Sequence, residues 1–201
     1  MTVDSHRCQL ESSFRKSVNG ARMVAMPMLA IMAIMLLSGC ATMSPEQCLT
    51  ADWSQRGYKD GRAGFTSNRV AKHHKACSKV GVIPNLAAYR KGYERGLAQY
   101  CTPANAVEQG RNGKPYRNVC PARVEDRFLY YYDQGKRVYS AEEQVDRLVR
   151  ESRRLEARLD DADSRHERRQ LRRELRDLDH DLRRARGELS DEQWRLDRLS
   201  W

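Results

Sequence analysis

Two stretches set the fold of this chain: WSQRGYKDGRAGF at residues 53–65 and YRKGYERGLAQYC at residues 89–101. Each places two glycines four residues apart beside aromatic residues, Gly57 with Gly61 and Gly92 with Gly96. Residues four apart share one face of a helix, and glycine on such a face lets another backbone approach closely. The repeat therefore predicts helices that pack through glycine faces, with weaker copies around Gly110 and Gly135.

The aromatic residues beside these glycines allow a second interpretation. A depression with glycines at its base and aromatic walls is suited to a glycan or a peptide, since ligand sites are mostly concave and apolar. The groove would be lined by Trp53, Tyr58, Tyr89, Tyr93 and Tyr100. Helix packing is the simpler explanation of the glycines, and the ligand groove is its alternative.

Strand-like alternation is absent from the sequence, so we expect an all-α protein. The pattern predicts helices at 52–66, 69–80, 85–100 and 123–136, separated from one another by short turns. Asn68 is placed to cap the second helix, and Pro84 lies at the start of the third. Residues 103–121 are expected to be irregular.

Cysteine usage indicates an exported domain. Cys8 lies in the signal-like segment and Cys40 directly after it, which leaves four cysteines for the folded part: Cys48, Cys77, Cys101 and Cys120. In an oxidising compartment an even number of cysteines predicts disulfides. Three pairings are open, and we favour the pairing of neighbours in sequence. A metal site at His73 and Cys77 is the competing interpretation; no CxxC pair supports it, and we expect no cofactor.

The last sixty residues differ sharply in composition. Residues 40–140 carry 17 Lys and Arg against 8 Asp and Glu, whereas residues 141–201 carry 16 Arg, no Lys and 17 acids. In this tail, apolar or small residues recur in steps of four and three from 141 to 162, and again from 171 to 189, as in coiled coils. The phase shifts between the two seams, and Ser164 with Glu167 suggests a capping box. We expect a helical hairpin with a break near 160–164 or, alternatively, one rod from Ser140 to Gly187 followed by a short last helix.

The N-terminus has the pattern of an export signal. Basic residues precede an uncharged apolar run at 23–37, which ends in Leu37-Ser38-Gly39-Cys40. Small residues directly before a cysteine resemble the lipobox of bacterial lipoproteins, in which that cysteine receives lipid and becomes the first residue. The resemblance implies lipidation of Cys40 and, with Ala41 next, an outer-membrane location facing the periplasm. An uncleaved anchor and a cleaved signal without lipid are the alternatives.

These features divide the chain into a signal at 1–39, a basic cysteine-containing helical domain at 40–140 and a coiled-coil-like tail at 141–201. The formal net charge is +10, which favours anionic envelope components as partners of the domain. A polytopic membrane protein is excluded, because a single apolar run approaches spanning length. Nucleic acid is not expected as a partner of an exported chain with a neutral tail.

The domain resembles an uncharacterised family of proteobacterial lipoproteins that is known as a domain of unknown function. The resemblance covers about residues 46–139 and rests on the four cysteines together with the motifs Trp53…Gly57-Tyr58-x-Asp60-Gly61-x-x-Gly64, His74-x-x-Cys77, Tyr89-x-x-Gly92-x-x-x-Gly96-Leu97-x-x-Tyr100-Cys101, Gly110-x-x-Gly113 with Tyr116, and Val119-Cys120-Pro121. It implies a location and a fold and carries no activity.

Three functional classes were weighed. We expect a lipid-anchored envelope protein with a structural or interaction role, whose tail binds itself or another envelope protein. The alternative is a module that binds peptidoglycan, another glycan or lipopolysaccharide in the aromatic groove. No catalytic residues are assigned, because acids such as Asp60 and Glu94 stand outside any motif of known chemistry.

Overall fold

The computed structural model describes residues 42–199, which form helices joined by turns. No strand occurs in this range, so the all-α class predicted from the sequence is confirmed. The predicted signal and Cys40 lie outside the described residues. The α-helices, in chain order, are α1 (Pro45–Leu49), α2 (Trp53–Arg62), α3 (Arg69–Cys77), α4 (Leu86–Tyr100), α5 (Pro103–Arg111), α6 (Ala122–Asp161) and α7 (Arg165–Asp197), and a 3-10 turn at Ser78–Val80 follows α3.

The described chain divides into two compact units. Unit 1 comprises residues 42–51 and 71–84, and unit 2 comprises residues 52–70 and 85–199. Each unit contains one disulfide bond: Cys48–Cys77 in unit 1, with an S–S distance of 2.01 Å, and Cys101–Cys120 in unit 2, at 2.17 Å. The pairing of sequence neighbours is the one that the structure has.

Side-chain caps mark the starts of most helices. Asp52, Asn85, Thr102 and Ser164 each accept a hydrogen bond from the backbone N–H three residues later, at 2.9 to 3.3 Å. Such a bond satisfies one of the amide groups that a helix start leaves without an intrahelical partner. The cap of α4 is Asn85, and the helix begins at Leu86, one residue after the predicted start at 85.

The segment expected to be irregular contains a helix. Residues 103–111 form α5, which Thr102 caps and Pro103 begins. Proline suits the first position of a helix, because its missing N–H would have no partner there and its φ angle is already helical. The prediction of an irregular stretch from 103 to 121 is therefore wrong in its first half.

Helix α6 runs for 40 residues without a break, a length of about 60 Å at 1.5 Å per residue. It passes through residue 140, so the predicted end at 136 and the predicted new start at Ser140 are wrong. Helix α7 likewise continues past Gly187 to Asp197. One exposed glycine costs a helix about 1 kcal/mol, which is too little to end a helix with more than two turns on either side.

The tail folds back on itself as a hairpin. Helix α6 ends at Asp161, Ser164 caps α7, and the two helices pack against each other. Leu155, Ala162 and Leu171 are buried together near the turn, and Leu159, Leu175 and Leu178 pack around them. The predicted break at 160–164 is confirmed, and the single rod is wrong.

Glycines hold two pairs of parallel helices in unit 2. A Cβ atom on Gly57 would lie less than 3.0 Å from the carbonyl oxygen of Tyr89, and one on Gly61 would lie equally close to that of Tyr93. The residue numbers of these facing positions increase together along both helices, so α2 and α4 run in the same direction. We call α2 with α4 the first pair.

Helices α5 and α6 repeat this arrangement and form the second pair. Gly110 faces the carbonyl oxygen of Tyr132 as Gly61 faces that of Tyr93, and Gly135 faces Val107 as Gly96 faces Tyr58. Beyond each pair a glycine with positive φ is covered by a tyrosine ring: Gly64 by Tyr100 and Gly113 by Tyr139. The domain is thus built from two copies of one supersecondary unit.

Candidate functional site

The expected aromatic groove is filled by protein. Gly92 and Gly96 approach the carbonyl oxygens of Ser54 and Tyr58 so closely that a methyl group would overlap with them. The backbone of the partner helix therefore occupies the space where a ligand would sit. Trp53, Tyr89, Tyr93 and Tyr100 are buried, and Tyr58 is partly exposed. These side chains pack the first pair rather than line an opening along its glycines.

The buried tyrosine hydroxyls of the first pair are hydrogen bonded within the protein. The Tyr89 hydroxyl donates to Oδ2 of Asp60 at 2.8 Å, and the Tyr93 hydroxyl donates to the carbonyl oxygen of Phe65 at 2.7 Å. Burial raises the pKa of both phenols, and the Asp60 carboxylate raises it further. Both tyrosines therefore act as neutral donors at physiological pH.

Asp60 is the centre of a buried polar cluster in unit 2. The residue is 4% exposed, and its Oδ1 lies 3.2 Å from Nε of Arg69. The guanidinium of Arg69 in turn stacks on Phe65, with Cζ 3.6 Å from the ring centroid. A buried carboxylate is stable only when it is paired and hydrogen bonded, and both conditions are met here. We call Asp60, Tyr89, Arg69 and Phe65 the Asp60 cluster.

A second guanidinium reaches the same ring from a distant part of the chain. Cζ of Arg117 lies 5.0 Å from the Phe65 centroid, and its Nη1 donates to the carbonyl oxygen of Gly64 at 3.3 Å. Arg117 thereby links the connection between α5 and α6 to the turn after α2. The cluster thus ties three separate segments of unit 2 together, and its carboxylate is enclosed rather than open to a substrate.

The second pair replaces this polar cluster with an aromatic one. Gln109 and Phe128 stand where the first pair has Asp60 and Tyr89. Phe128 is 1% exposed and lies 5.3 Å from Tyr100 and 4.9 Å from Tyr116, measured between ring centroids. One polar bond is kept: the Tyr132 hydroxyl donates to the carbonyl oxygen of Lys114 at 2.8 Å, as Tyr93 donates to Phe65.

Tyr116 closes the aromatic cluster beside the disulfide of unit 2. Its hydroxyl donates to Oε1 of Glu125 at 2.7 Å and accepts the backbone N–H of Cys120 at 2.9 Å. Burial is the main cause that raises the pKa of Tyr116 to about 12, and Glu125 adds to it. Tyr116 is therefore a neutral phenol at physiological pH, and its hydroxyl holds the backbone N–H of Cys120.

The residues considered for a metal site have other partners. Cys77 is bonded to Cys48, and Nδ1 of the fully buried His73 lies 2.9 Å from Oγ1 of Thr42. Between residues 42 and 199 all cysteines are in disulfides, and no group of three or more His, Cys, Asp or Glu side chains converges. In the same range no helix is long and apolar enough to span a bilayer.

Sequence reasoning missed the Asp60 cluster. One signal was available: Asp60 lies in the last turn of α2, where the helix dipole disfavours a negative charge. An acid in that position indicates a cationic or hydrogen-bonding partner, here Arg69 and Tyr89. The identity of those partners depends on tertiary contacts and has no local motif.

Comparison with known proteins finds one match to a family model, and that family has no known function. No curated protein and no solved structure matches the chain. One stretch, residues 52–137, matches this model. It begins one residue before α2 and ends inside α6, so it includes the packing glycines of both pairs and the Asp60 cluster. Residues 52–137 of this chain match the model of DUF2799, a protein family of unknown function.

Proposed function

We propose that this protein is a lipid-anchored component of the bacterial cell envelope with a structural or interaction role. The observation that carries the proposal is the sequence Leu37-Ser38-Gly39-Cys40 at the end of an uncharged run of fifteen residues, 23–37. In this proposal Cys40 becomes the first residue and holds the acyl chains. Several acyl chains at about 0.8 kcal/mol per buried methylene make a lasting anchor. Ala41 in the next position favours the outer membrane, facing the periplasm.

The disulfide bonds support an exported protein. Both bonds, Cys48–Cys77 and Cys101–Cys120, join residues that lie after Cys40. Structural disulfides persist in oxidising compartments and are rare in the bacterial cytoplasm. The disulfide bonds and the lipobox-like sequence thus both favour a location outside the cytoplasm.

The hairpin is the element that we assign to interaction. Helices α6 and α7 are 40 and 33 residues long, and α6 extends about 60 Å. Their outer faces carry exposed Arg–acid pairs such as Arg154–Glu151 and Arg184–Asp181. Exposed pairs of this kind add little stability, so we assign these charged faces to contact with another envelope protein or with a second copy.

Replacement of Cys40 tests the anchor. We expect Cys40→Ala to abolish acylation, so that the protein accumulates as an unprocessed precursor whose mass lacks the lipid. The matched control is Cys8→Ala, which removes a cysteine upstream of the proposed cleavage point and should leave processing unchanged. Fractionation and intact mass spectrometry of both variants and the wild type give the answer. Unchanged mass and unchanged membrane association of Cys40→Ala would contradict the proposal.

A further inference from the structure

The chain is attached to helix α3 almost as soon as the described residues begin. Oγ1 of Thr42 lies 2.9 Å from Nδ1 of His73, and Sδ of Met43 lies 3.9 Å from Sγ of Cys77. Both His73 and Cys77 are fully buried, and Met43 is 3% exposed. The Cys48–Cys77 disulfide then fastens the same segment to α3 covalently.

This attachment leaves very little chain between the proposed lipid and the folded protein. Cys40 is two residues before Thr42, and two residues span at most about 7 Å. An acylated Cys40 would therefore hold the middle of α3, at His73, near the headgroup region. The anchor acts as a short clamp on unit 1 rather than as a flexible tether.

The surface of unit 1 is basic, with apolar side chains exposed beside the charges. Lys72, Lys75 and Lys79 are all exposed, and Glu46 is the one acidic residue in 42–51 and 71–84. Leu49 is 67% exposed and Ile83 is 77% exposed. Lysines close to a bilayer are attracted by anionic headgroups, and apolar side chains among them can enter the interface.

We propose that residues 71–84 of unit 1 form a membrane-contact surface that binds anionic phospholipid headgroups. Lys72 directly precedes His73, the residue that holds Thr42, so the first of the three lysines lies at the point of attachment. The inference rests on the proposed anchor, because lipid at Cys40 brings this surface to the bilayer. Attraction acts within a Debye length of about 8 Å at physiological salt, a distance comparable to the span from Cys40 to Thr42.

The test uses the chain from Ala41 to Trp201, which lacks Cys40 and binds without lipid help. Co-sedimentation is measured with vesicles of phosphatidylglycerol and phosphatidylcholine and with vesicles of phosphatidylcholine alone. We expect preference for the anionic vesicles, weakened by salt. The triple variant Lys72→Gln/Lys75→Gln/Lys79→Gln should reduce the partition coefficient by about a hundredfold, since each lysine near an anionic surface contributes roughly fivefold.

A second triple variant separates this surface from net charge. Lys59, Lys91 and Lys114 are exposed lysines of unit 2, and replacing all three with Gln removes the same charge. We expect this control to lose no more than about fivefold. Far-ultraviolet circular dichroism and a thiol assay establish that both variants are folded and disulfide bonded.

Three results would overturn the contact surface. The first two are equal binding of the wild type to anionic and neutral vesicles, and equal losses in the two triple variants. The third is a wild type that does not bind vesicles but sediments with peptidoglycan, which would favour a cell-wall carboxylate partner. The anchor is judged separately, by the mass of the full-length protein, because the chain used here has no Cys40. Failure of one proposal is thus distinguishable from failure of the other.

Discussion

The two glycine-packed pairs share a backbone arrangement and differ in the side chains placed on it. Gly61 and Gly96 in the first pair have Gly110 and Gly135 as counterparts, with the same carbonyl neighbours. The first pair builds a buried carboxylate cluster on this frame, whereas the second builds an aromatic cluster around Phe128. Close helix approach is therefore the common requirement, and the chemistry next to it is free to vary.

The first pair is also the more tightly packed of the two. Gly57 and Gly92 of the first pair have Ala106 and Tyr131 as counterparts in the second. Four glycines meet backbone atoms in the first pair and two do so in the second. A substitution tolerated in one pair should therefore fail in the other, which makes the comparison testable.

The largest effect is expected at the glycines that both pairs share. Gly96→Val and Gly135→Val each place a branched side chain against a carbonyl oxygen and an amide nitrogen of the facing helix. Backbone cannot move aside as a flexible side chain can, so each variant should lose about 3 kcal/mol of unfolding free energy or more. Chemical denaturation with intact disulfides measures the loss. Similar losses support the duplication, and an unchanged midpoint in either variant would contradict the packing.

A smaller effect is expected when residues are exchanged between the pairs. Gly57→Ala imports the alanine of the second pair into the first, where its Cβ would lie less than 3.0 Å from Tyr89 O. We expect a loss of about 1–3 kcal/mol. The reciprocal change, Ala106→Gly, loses a fully buried methyl group and helix propensity, and should cost about 2 kcal/mol. If Gly57→Ala left the unfolding free energy unchanged, alanine would fit both positions and the two pairs would be spaced alike.

The Asp60 cluster should make the first pair sensitive to loss of charge. Asp60→Asn keeps an oxygen for the Tyr89 hydroxyl and removes the ion pair with Arg69, whose side chain is 28% exposed. Leaving a partly buried guanidinium without its carboxylate should cost about 1–3 kcal/mol. Glu108→Gln, at an exposed position of the second pair, removes the same charge and should cost less than about 0.5 kcal/mol. Thermal melts of both variants check the difference, and equal losses would mean that the ion pair adds nothing.

The raised tyrosine pKa values predict a loss of stability at high pH. Unfolded tyrosine ionises near 10, whereas burial keeps Tyr89 and Tyr93 protonated above that value and raises the pKa of Tyr116 to about 12. Above pH 10 the unfolded chain therefore binds fewer protons than the folded one, and stability falls with pH. Denaturation midpoints between pH 9 and 12 should show this slope, and Tyr89→Phe should reduce it. The control is Tyr130→Phe at an exposed position, which should leave the slope unchanged.

The spacing of the glycines predicted the packing because the information is local: two residues four apart define a helix face. The duplication was harder to detect, because Gly61 and Gly110 are 49 residues apart whereas Tyr93 and Tyr132 are 39 apart. Connections of different length thus leave no single period. Helix α5 was missed for a different reason, since Thr102 and Pro103 form a start signal for a helix of nine residues with little periodicity of its own.

The side-chain contacts of the candidate site were harder to predict from the sequence than the helix packing that positions them. The aromatic residues were placed beside the glycines correctly, but their spacing alone does not show whether a ligand or another helix fills the face. Asp60 meets Tyr89 across 29 residues, and Arg117 reaches Gly64 across 53. Contacts at such separations follow from the tertiary fold, and no local pattern records them.

The smallest effect, of opposite sign, is expected in the hairpin, where a glycine has no packing role. Gly187 lies inside α7, and a Cβ there would meet no atom within 4 Å. Alanine is favoured over glycine in a helix interior by about 1 kcal/mol, partly because it restricts the unfolded chain. Gly187→Ala should therefore raise the midpoint, whereas Gly135→Ala on the facing long helix should lower it, since its Cβ would lie less than 3.0 Å from Val107 O. Denaturation of the two variants side by side provides the measurement. Stabilisation by both would mean that α5 and α6 lie further apart than the structure has them, and stabilisation by neither would point to a close contact at Gly187.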